Sequence, residues 1–433
     1  MSDWIDKLDR QVFPFVEYPG YDARYPALEG IPLTEVEAEG IRDVSRKMYT
    51  IFAKACDIAR QGNQQFLQDM EIPPKLWPYL TIPNPLHEPT WLSRFDFVYD
   101  ERQKLRMVEL NADTPCGIIE AYYGNAVYCK EQFRINPNAG EQAHLEVFLK
   151  RVYDESFQPT ANLETGSLVA AKPFVFSCFH DYIEDFGTTK YLMETMCSAV
   201  EKTSPIVPTD ESIQFISFYD IQVDKETGDC ILPDGRTAGG LYRLHPLEIL
   251  VEEVAEDGYP IGTRLLDGYE DGRFLMMNPP EAILMQSKAF QALVWSLMED
   301  GRFYTAEENA FIRETMLPTY FTEADCPLHT PYIVKPIWGR EGLGIQVRQD
   351  GSALFQKEVP APEKVVRRDS ENMVYQKFVH QPARFVRTDA GAQKGYVTMS
   401  CFMLASDASA LYARFSPEEV AGTEAYWLPL FQQ

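Results

Sequence analysis

SRFDFVYDERQKLRMVELNAD, residues 93–113, reads as two β-strands joined by a short polar turn. Side chains alternate faces along a strand, so Arg94 and Asp96 share one face while Phe95 and Phe97 share the other. On the return strand Glu109 and Asn111 share a face, with Val108 and Leu110 on the opposite one. Pairing Asp96 with Glu109 also pairs Arg94 with Asn111, Phe95 with Leu110 and Phe97 with Val108. A slip of one residue would set Phe95 against Glu109 and spoil both faces. The hydrophobic pattern therefore predicts the register that gathers Arg94, Asp96, Glu109 and Asn111. Two carboxylates directly across a strand pair repel each other, so positive charge belongs between them. Arg94 can supply it. A divalent cation can as well, because Asp, Glu and Asn oxygens completed by phosphate oxygens form a shell that suits Mg²⁺. Taken alone, the stretch also fits a surface Arg–acid network or the carboxylate pair of a glycosidase.

PYIVKPIWGREGLGIQV, residues 331–347, carries the next signal. A buried-looking strand ends at Lys335-Pro336 and enters a glycine-rich turn with Gly339, Arg340 and Gly342. Glycines let a backbone approach a ligand closely and aim its N–H groups at phosphate oxygens. A lysine on the preceding strand reaches the same oxygens as a point charge. The turn is neither GxGxxG nor a Walker A motif, and an ordinary hairpin turn would look much the same. Lys288, inside the mostly apolar MQSKAFQALVWSL (285–297), either snorkels or reaches a cleft as a second phosphate ligand. VYQKFV (374–379) is a strand whose backbone could pair with an adenine edge, as any interior strand could. Arg414 alternates with Tyr412 on one strand face, where a surface salt bridge is the plain reading.

Around these stretches three regions are expected. Residues 1–90 form an N-terminal wrapping and helical segment, with a capping box at Thr34 and Glu37 and apolar residues at helical spacing through Ile58. Residues 91–280 hold the hairpin and a substrate region. There the strands PFVFSCF (173–179), IQFISFY (213–219) and GLYRLHP (240–246) alternate with a helix over 188–200, as in an α/β sheet with crossover helices. Residues 281–433 open with one helix over 281–300, stopped by Gly301, and a second capped by Thr305 and Glu308. They then return to strands near 331–337, 373–379, 384–404 and 410–416, read together as one antiparallel sheet with helices on one side. The three regions make one compact catalytic unit.

Composition narrows the function classes. The chain has 433 residues, 45% hydrophobic, enough for a sizeable core. A net charge of −25 disfavours nucleic acid and anionic membranes as partners and tolerates a cationic amine. No membrane span or signal peptide is evident, so a cytoplasmic location is expected. The eight cysteines are scattered without a CxxC and read as reduced core fillers. The six histidines form no HExxH, which argues against zinc.

In chain order, RFDF (94–97), ELNADTP (109–115), LYRLHPLE (241–248), the Lys288 helix, VKPIWGREG (334–342) and VYQKF (374–378) resemble the glutathionylspermidine synthase family of ATP-grasp ligases. The resemblance runs from about residue 90 to the C-terminus and concerns the synthetase part, without an amidase domain. It implies an α/β (α+β) ATP-grasp fold, with mixed and antiparallel sheets, flanking helices and a glutathione-synthetase-like arrangement. It implies ATP and Mg²⁺, as two ions, with Asp96, Glu109 and Asn111 as metal ligands. Arg94 is implied as a contact to the transferred phosphate, and Lys288 and Lys335 as the ATP phosphate lysines. Arg340, between Gly339 and Gly342, falls in the turn that closes over ATP. Gln376, Lys377, Phe378 and Val379 are implied as the adenine hinge, and Arg414 as an arginine that steadies phosphate charge.

The activity so implied is amide formation between a small or peptide-like carboxylic acid and an amine, by way of an acyl phosphate, in a monomer or homodimer. A non-catalytic nucleotide-binding protein on the same fold is the alternative. The chain departs from the family on the substrate side. Phe186-Gly187-Thr188-Thr189 stands where acids for a polyamine precede Lys190-Tyr191, with Glu184 and Asp185 just upstream as possible substitutes. Leu244 and Ile249 stand where the family has a threonine-bearing segment near the glutathione pocket, and Cys116 stands where a small hydroxyl residue is expected.

Overall fold

The computed structural model describes residues 4–17, 23–156, 172–203, 212–327, 329–340, 342–357 and 372–433. Thr34 caps the helix Glu35–Ala59 by the expected box: its hydroxyl accepts the Glu37 N–H, and the Glu37 carboxylate accepts the Thr34 N–H at 2.8 Å. The buried stripe of this helix lies on a six-stranded antiparallel sheet, where Phe52 meets Phe95 edge-on at 5.7 Å. Thr305 and Glu308 cap Ala306–Thr315 in the same way. Cys56, Cys129, Cys178, Cys230, Cys326 and Cys401 are buried. No helix among the described residues is long and apolar enough to cross a membrane.

The six-stranded sheet contains the hairpin, Leu92–Tyr99 with Leu105–Asn111. Asp96 pairs with Glu109, Arg94 with Asn111 and Phe95 with Leu110, as the pattern predicts. Beyond Asp96 the register shifts, and Phe97 faces Met107 rather than Val108. Val108 is the extra residue of a β-bulge. Met107, 1% exposed, fills the core beside Phe97, and the carbonyl of Val108 lies 3.4 Å from Gln376 Nε2.

Next to Leu92–Tyr99 runs Gly391–Leu404, then Asp407–Ser416 and Tyr426–Trp427, with Arg384–Thr388 pairing the outer half of Gly391–Leu404. The expectation that 384–416 belong to one sheet with 331–379 is therefore corrected. Met399 to Leu404 are all buried, so this strand needs cover on both faces and a strand on either side. The sheet thus draws strands from both the 91–280 and the 281–433 stretches.

A separate five-stranded antiparallel sheet has the order Thr319–Tyr320, Met373–Lys377, Tyr332–Pro336, Gln346–Gln349, Ser352–Gln356. The crossover sheet is parallel and four-stranded, in the order Ile213–Phe215, Phe174–Ser177, Gly240–Arg243, Leu275–Met277. Helix Ile183–Thr203 connects its first two strands in chain order.

The helix expected over 281–300 is two helices, Ala282–Gln286 and Ala289–Asp300, ended by Gly301 in the left-handed region at φ 72°. Ser287 is extended between them, and its hydroxyl donates to the Met70 carbonyl at 3.0 Å. The break leaves Lys288 at the start of the second helix instead of within a continuous one.

Candidate active site

Asp96 sits at the centre of the sheet, its carboxylate 1% exposed. Arg94, two residues away on the same face, grips it with two bonds of 2.7 and 2.9 Å. Arg94 also donates to the carbonyl of Cys116 and stands over the ring of Tyr412 at 5.6 Å. Arg414 reaches Asp96 from two strands away at 3.1 Å, and the Asn111 amide lies 3.3 Å from it. Burial alone would raise the Asp96 pKa, yet Arg94 and Arg414 hold it below the usual carboxylate range.

Glu109, directly opposite on the neighbouring strand, faces the lysines. Lys288 Nζ stands 3.6 Å from its carboxylate and donates to the Gly339 carbonyl at 2.6 Å. Burial would raise the Glu109 pKa as well, and Lys288, Lys335 and Arg414 together hold it below its ordinary value. Lys335, 3% exposed, donates to Gln376 Oε1 at 2.7 Å within electrostatic reach of Glu109. Desolvation brings its ammonium down to about 8, against the pull of Glu109. Gln376 is held in turn by Gln291 and Thr319, each at 3.1 Å.

Four cationic side chains thus converge on two carboxylates, in a chain whose net charge is −25. Such a local surplus is a ready site for a polyanion. Among the described residues no three His, Cys, Asp or Glu side chains gather as a metal-holding group. The oxygens of Asp96, Glu109 and Asn111 do suit a Mg²⁺ ion that takes the rest of its shell from phosphate and water. Arg94 and Arg414 already engage Asp96, so an ion there shares that carboxylate with them.

The remaining residues singled out from sequence lie around this cluster. Gly339 reaches it through Lys288. Arg340 turns instead to Glu248. Gly342, at φ 72°, packs so close to the Ala421 carbonyl that a Cβ would come within 2.5 Å. The N–H of Lys377 is taken by the Pro318 carbonyl at 2.8 Å and that of Phe378 by Pro331 at 3.0 Å, so neither donor is available to an adenine edge. Phe378 joins Ile333, Ile345, Val347 and Val420 in an apolar cluster beside the five-stranded sheet, and Val379 follows it, half-buried.

Several supports carried no assigned role in the sequence reading. Asp113 and Arg243 form a fully buried bidentate pair at 2.5 and 3.0 Å, and Asp113 also accepts the Leu247 N–H at 2.9 Å. Asn278 accepts the N–H groups of Trp91 and Leu92 and donates to the carbonyls of Leu92 and Asp113. Gln286 accepts the N–H groups of Ala112 and Asp113. Together they bolt the exit of the hairpin to the parallel sheet and to helix Ala282–Gln286. The signal was an arginine inside an apolar strand, GLYRLHP, which requires a buried partner. Glu120 was also missed. It is wholly buried, accepts from Tyr25 OH at 2.9 Å, and is pushed up to about 8 by desolvation and by Glu184.

Comparison with known proteins agrees with this architecture. A relative from Haemophilus influenzae, provisionally assigned as an acid–amine ligase, is 24% identical over 348 residues, 79% of this chain and 77% of its own. The bifunctional glutathionylspermidine synthetase/amidase of Escherichia coli is 23% identical over 380 residues, 82% of this chain but 53% of that protein. The chain therefore matches about half the length of the bifunctional relative. Among solved structures, the apo form of a glutathione synthetase like-effector from Globodera pallida shares the fold, with a TM-score of 0.56 at 12% identity. That match covers 94% of this chain and 90% of the effector. The family model for the glutathionylspermidine synthase preATP-grasp family matches residues 1–432, and the chain belongs to that family.

Proposed function

We propose that the protein is an ATP-dependent ligase that joins a carboxylic acid to an amine through an acyl phosphate. The observation that carries this reading is the convergence of Arg94, Arg414, Lys288 and Lys335 on the Asp96–Glu109 pair. In this reading a substrate carboxylate oxygen attacks the γ-phosphorus of ATP and ADP departs. The amine nitrogen then attacks the acyl carbon, the C–O bond to phosphate breaks, and phosphate leaves as the nitrogen gives up its proton. Negative charge builds on phosphoryl oxygens at the first step and on the leaving phosphate at the second. Fixed cations aimed at those oxygens lower both barriers without reorganising.

Lys288 and Lys335 hold the ATP phosphates from the nucleotide side. Arg94 and Arg414 face the transferred phosphoryl group from the six-stranded sheet, and Asp96 keeps their guanidinium planes oriented. Asp96, Glu109 and Asn111 hold Mg²⁺, which supplies charge neutralisation on the phosphates. The apolar cluster of Ile333, Val347, Phe378 and Val420 would offer the adenine a face to lie against. The turn carrying Gly339, Arg340 and Gly342 covers the phosphates and keeps water from the acyl phosphate. Residues 91–280 contribute the acid and amine side and 281–433 the nucleotide side of one catalytic unit.

A phosphate-release screen tests this reading. It crosses polyamines and amino acids with glutathione and short peptides in the presence of Mg²⁺ and ATP. The expected outcome is ADP release that requires both an acid and an amine. Tight nucleotide binding without turnover across the whole matrix would sink the ligase reading in favour of a nucleotide-binding module.

A further inference from the structure

We infer that Glu248 is a positioning residue for Arg340, holding the glycine turn at Gly339 and Arg340 to the short helix that follows the parallel strand Gly240–Arg243. This rests on the reading of that turn as the cover over the phosphates. Strand Gly240–Arg243 leads to Pro246, and the short helix Leu247–Leu250 that follows sets the Glu248 carboxylate inside the protein, 1% exposed. One carboxylate oxygen accepts the Arg340 guanidinium; the other is buried with no partner among the described residues. A buried carboxylate with so few bonds is held at a cost, and losing its one cation would leave it worse. The segment cannot drift to relieve this, because the preceding Leu247 N–H is bonded to Asp113 at 2.9 Å.

On its other side the turn is pressed against a second wall. Gly342 touches the Ala421 carbonyl, and Lys288 donates to Gly339 at 2.6 Å. The Arg340–Glu248 pair ties the turn to the short helix Leu247–Leu250 that follows strand Gly240–Arg243. A guanidinium has five N–H donors, so the one pinned by Glu248 keeps donors for phosphate oxygens. Glu248 thereby fixes where those donors point.

The test uses full-length wild type, Glu248→Gln, Arg340→Ala and the double variant. Hydrogen exchange is followed in a peptide spanning 338–345. Glu248→Gln keeps the shape and removes the charge, and it should speed exchange there about tenfold, as should Arg340→Ala, with strands 92–99 and 240–243 unchanged. The double variant should exchange no faster than Arg340→Ala, since both changes remove one interaction. Unchanged exchange in Glu248→Gln, additive effects, or faster exchange throughout the parallel sheet would each overturn the proposal.

With a substrate pair from the screen, Glu248→Gln should lower kcat about tenfold with KM for ATP within about twofold, and Glu248→Asp should recover part of the loss. A rise in KM with kcat intact would count against positioning. Exchange is measured without nucleotide, so a protein that turns over no ATP would end the ligase reading while this experiment still decides the role of Glu248.

Discussion

Two buried Arg–Asp pairs stand close together in this protein and do different work. Arg243 and Asp113 are both fully buried, and the bonds around them close on the protein itself: Leu247 N–H to Asp113, Arg243 to the His245 carbonyl. Arg94 and Asp96 share the same bidentate geometry, yet Arg414 crowds in on Asp96, and Glu109 opposite faces Lys288 and Lys335. The first pair is balanced and holds the chain; the second sits in a cation surplus and is ready for an anion. Geometry alone does not separate a bolt from a site. The charge left over after pairing does.

The comparison can be broken most directly by cutting each pair. Asp113→Ala leaves Arg243 buried without its partner and should cost about 3–5 kcal/mol in urea unfolding. A loss under about 1 kcal/mol, within the range of an ordinary surface change, would show that the pair is no bolt. Asp96→Asn and Glu109→Gln keep the volume and should reduce ATP turnover at least about 100-fold while both variants remain folded. Near-normal turnover in both would remove the site assignment.

Lys335 sharpens the contrast by pH. Its ammonium titrates near 8 instead of 10.5, so it loses its proton as pH rises through that value. Nucleotide affinity should therefore weaken from pH 7 to 9, and Lys335→Arg should flatten the profile; calorimetric titration across that range checks it. Glu120 gives the smallest expected effect. Its folded-state pKa, about 8, lies above the ordinary 4.5, so the stability it contributes is complete below pH 4.5 and is lost as pH rises toward 8. Its neighbours in this balance are Glu184, Arg94 and Tyr25. Thermal midpoints should fall between pH 5 and 8 in wild type and less so in Glu120→Gln. Parallel curves for the two proteins would refute the assignment.

Much of the hairpin was legible beforehand because strand alternation is a local property. Arg94, Asp96, Glu109 and Asn111 could be placed on one face without knowing anything else about the chain. The bulge at Val108 could not, since it depends on Gln376 and on the core position of Met107. The break before Lys288 was hidden for a similar reason: MQSKAF reads as continuous helix, and Ser287 leaves it to reach Met70, far away in sequence. Arg340 was recognisable as the charge in a glycine turn, but its partner Glu248 was invisible at a distance of 92 residues.

By itself the sequence determined the capping boxes at Thr34 and Thr305, the strand and helix periods, and the register of the hairpin up to Asp96. Each rests on bonds or alternation between neighbours in the chain. Only the tertiary structure decided that Gly391–Leu404 lies beside Leu92–Tyr99, that Lys288 and Lys335 face Glu109, and that Arg340 turns to Glu248. Those contacts satisfy buried charges and apolar faces with whatever distant segment the packed core delivers, and no local pattern records which one that will be.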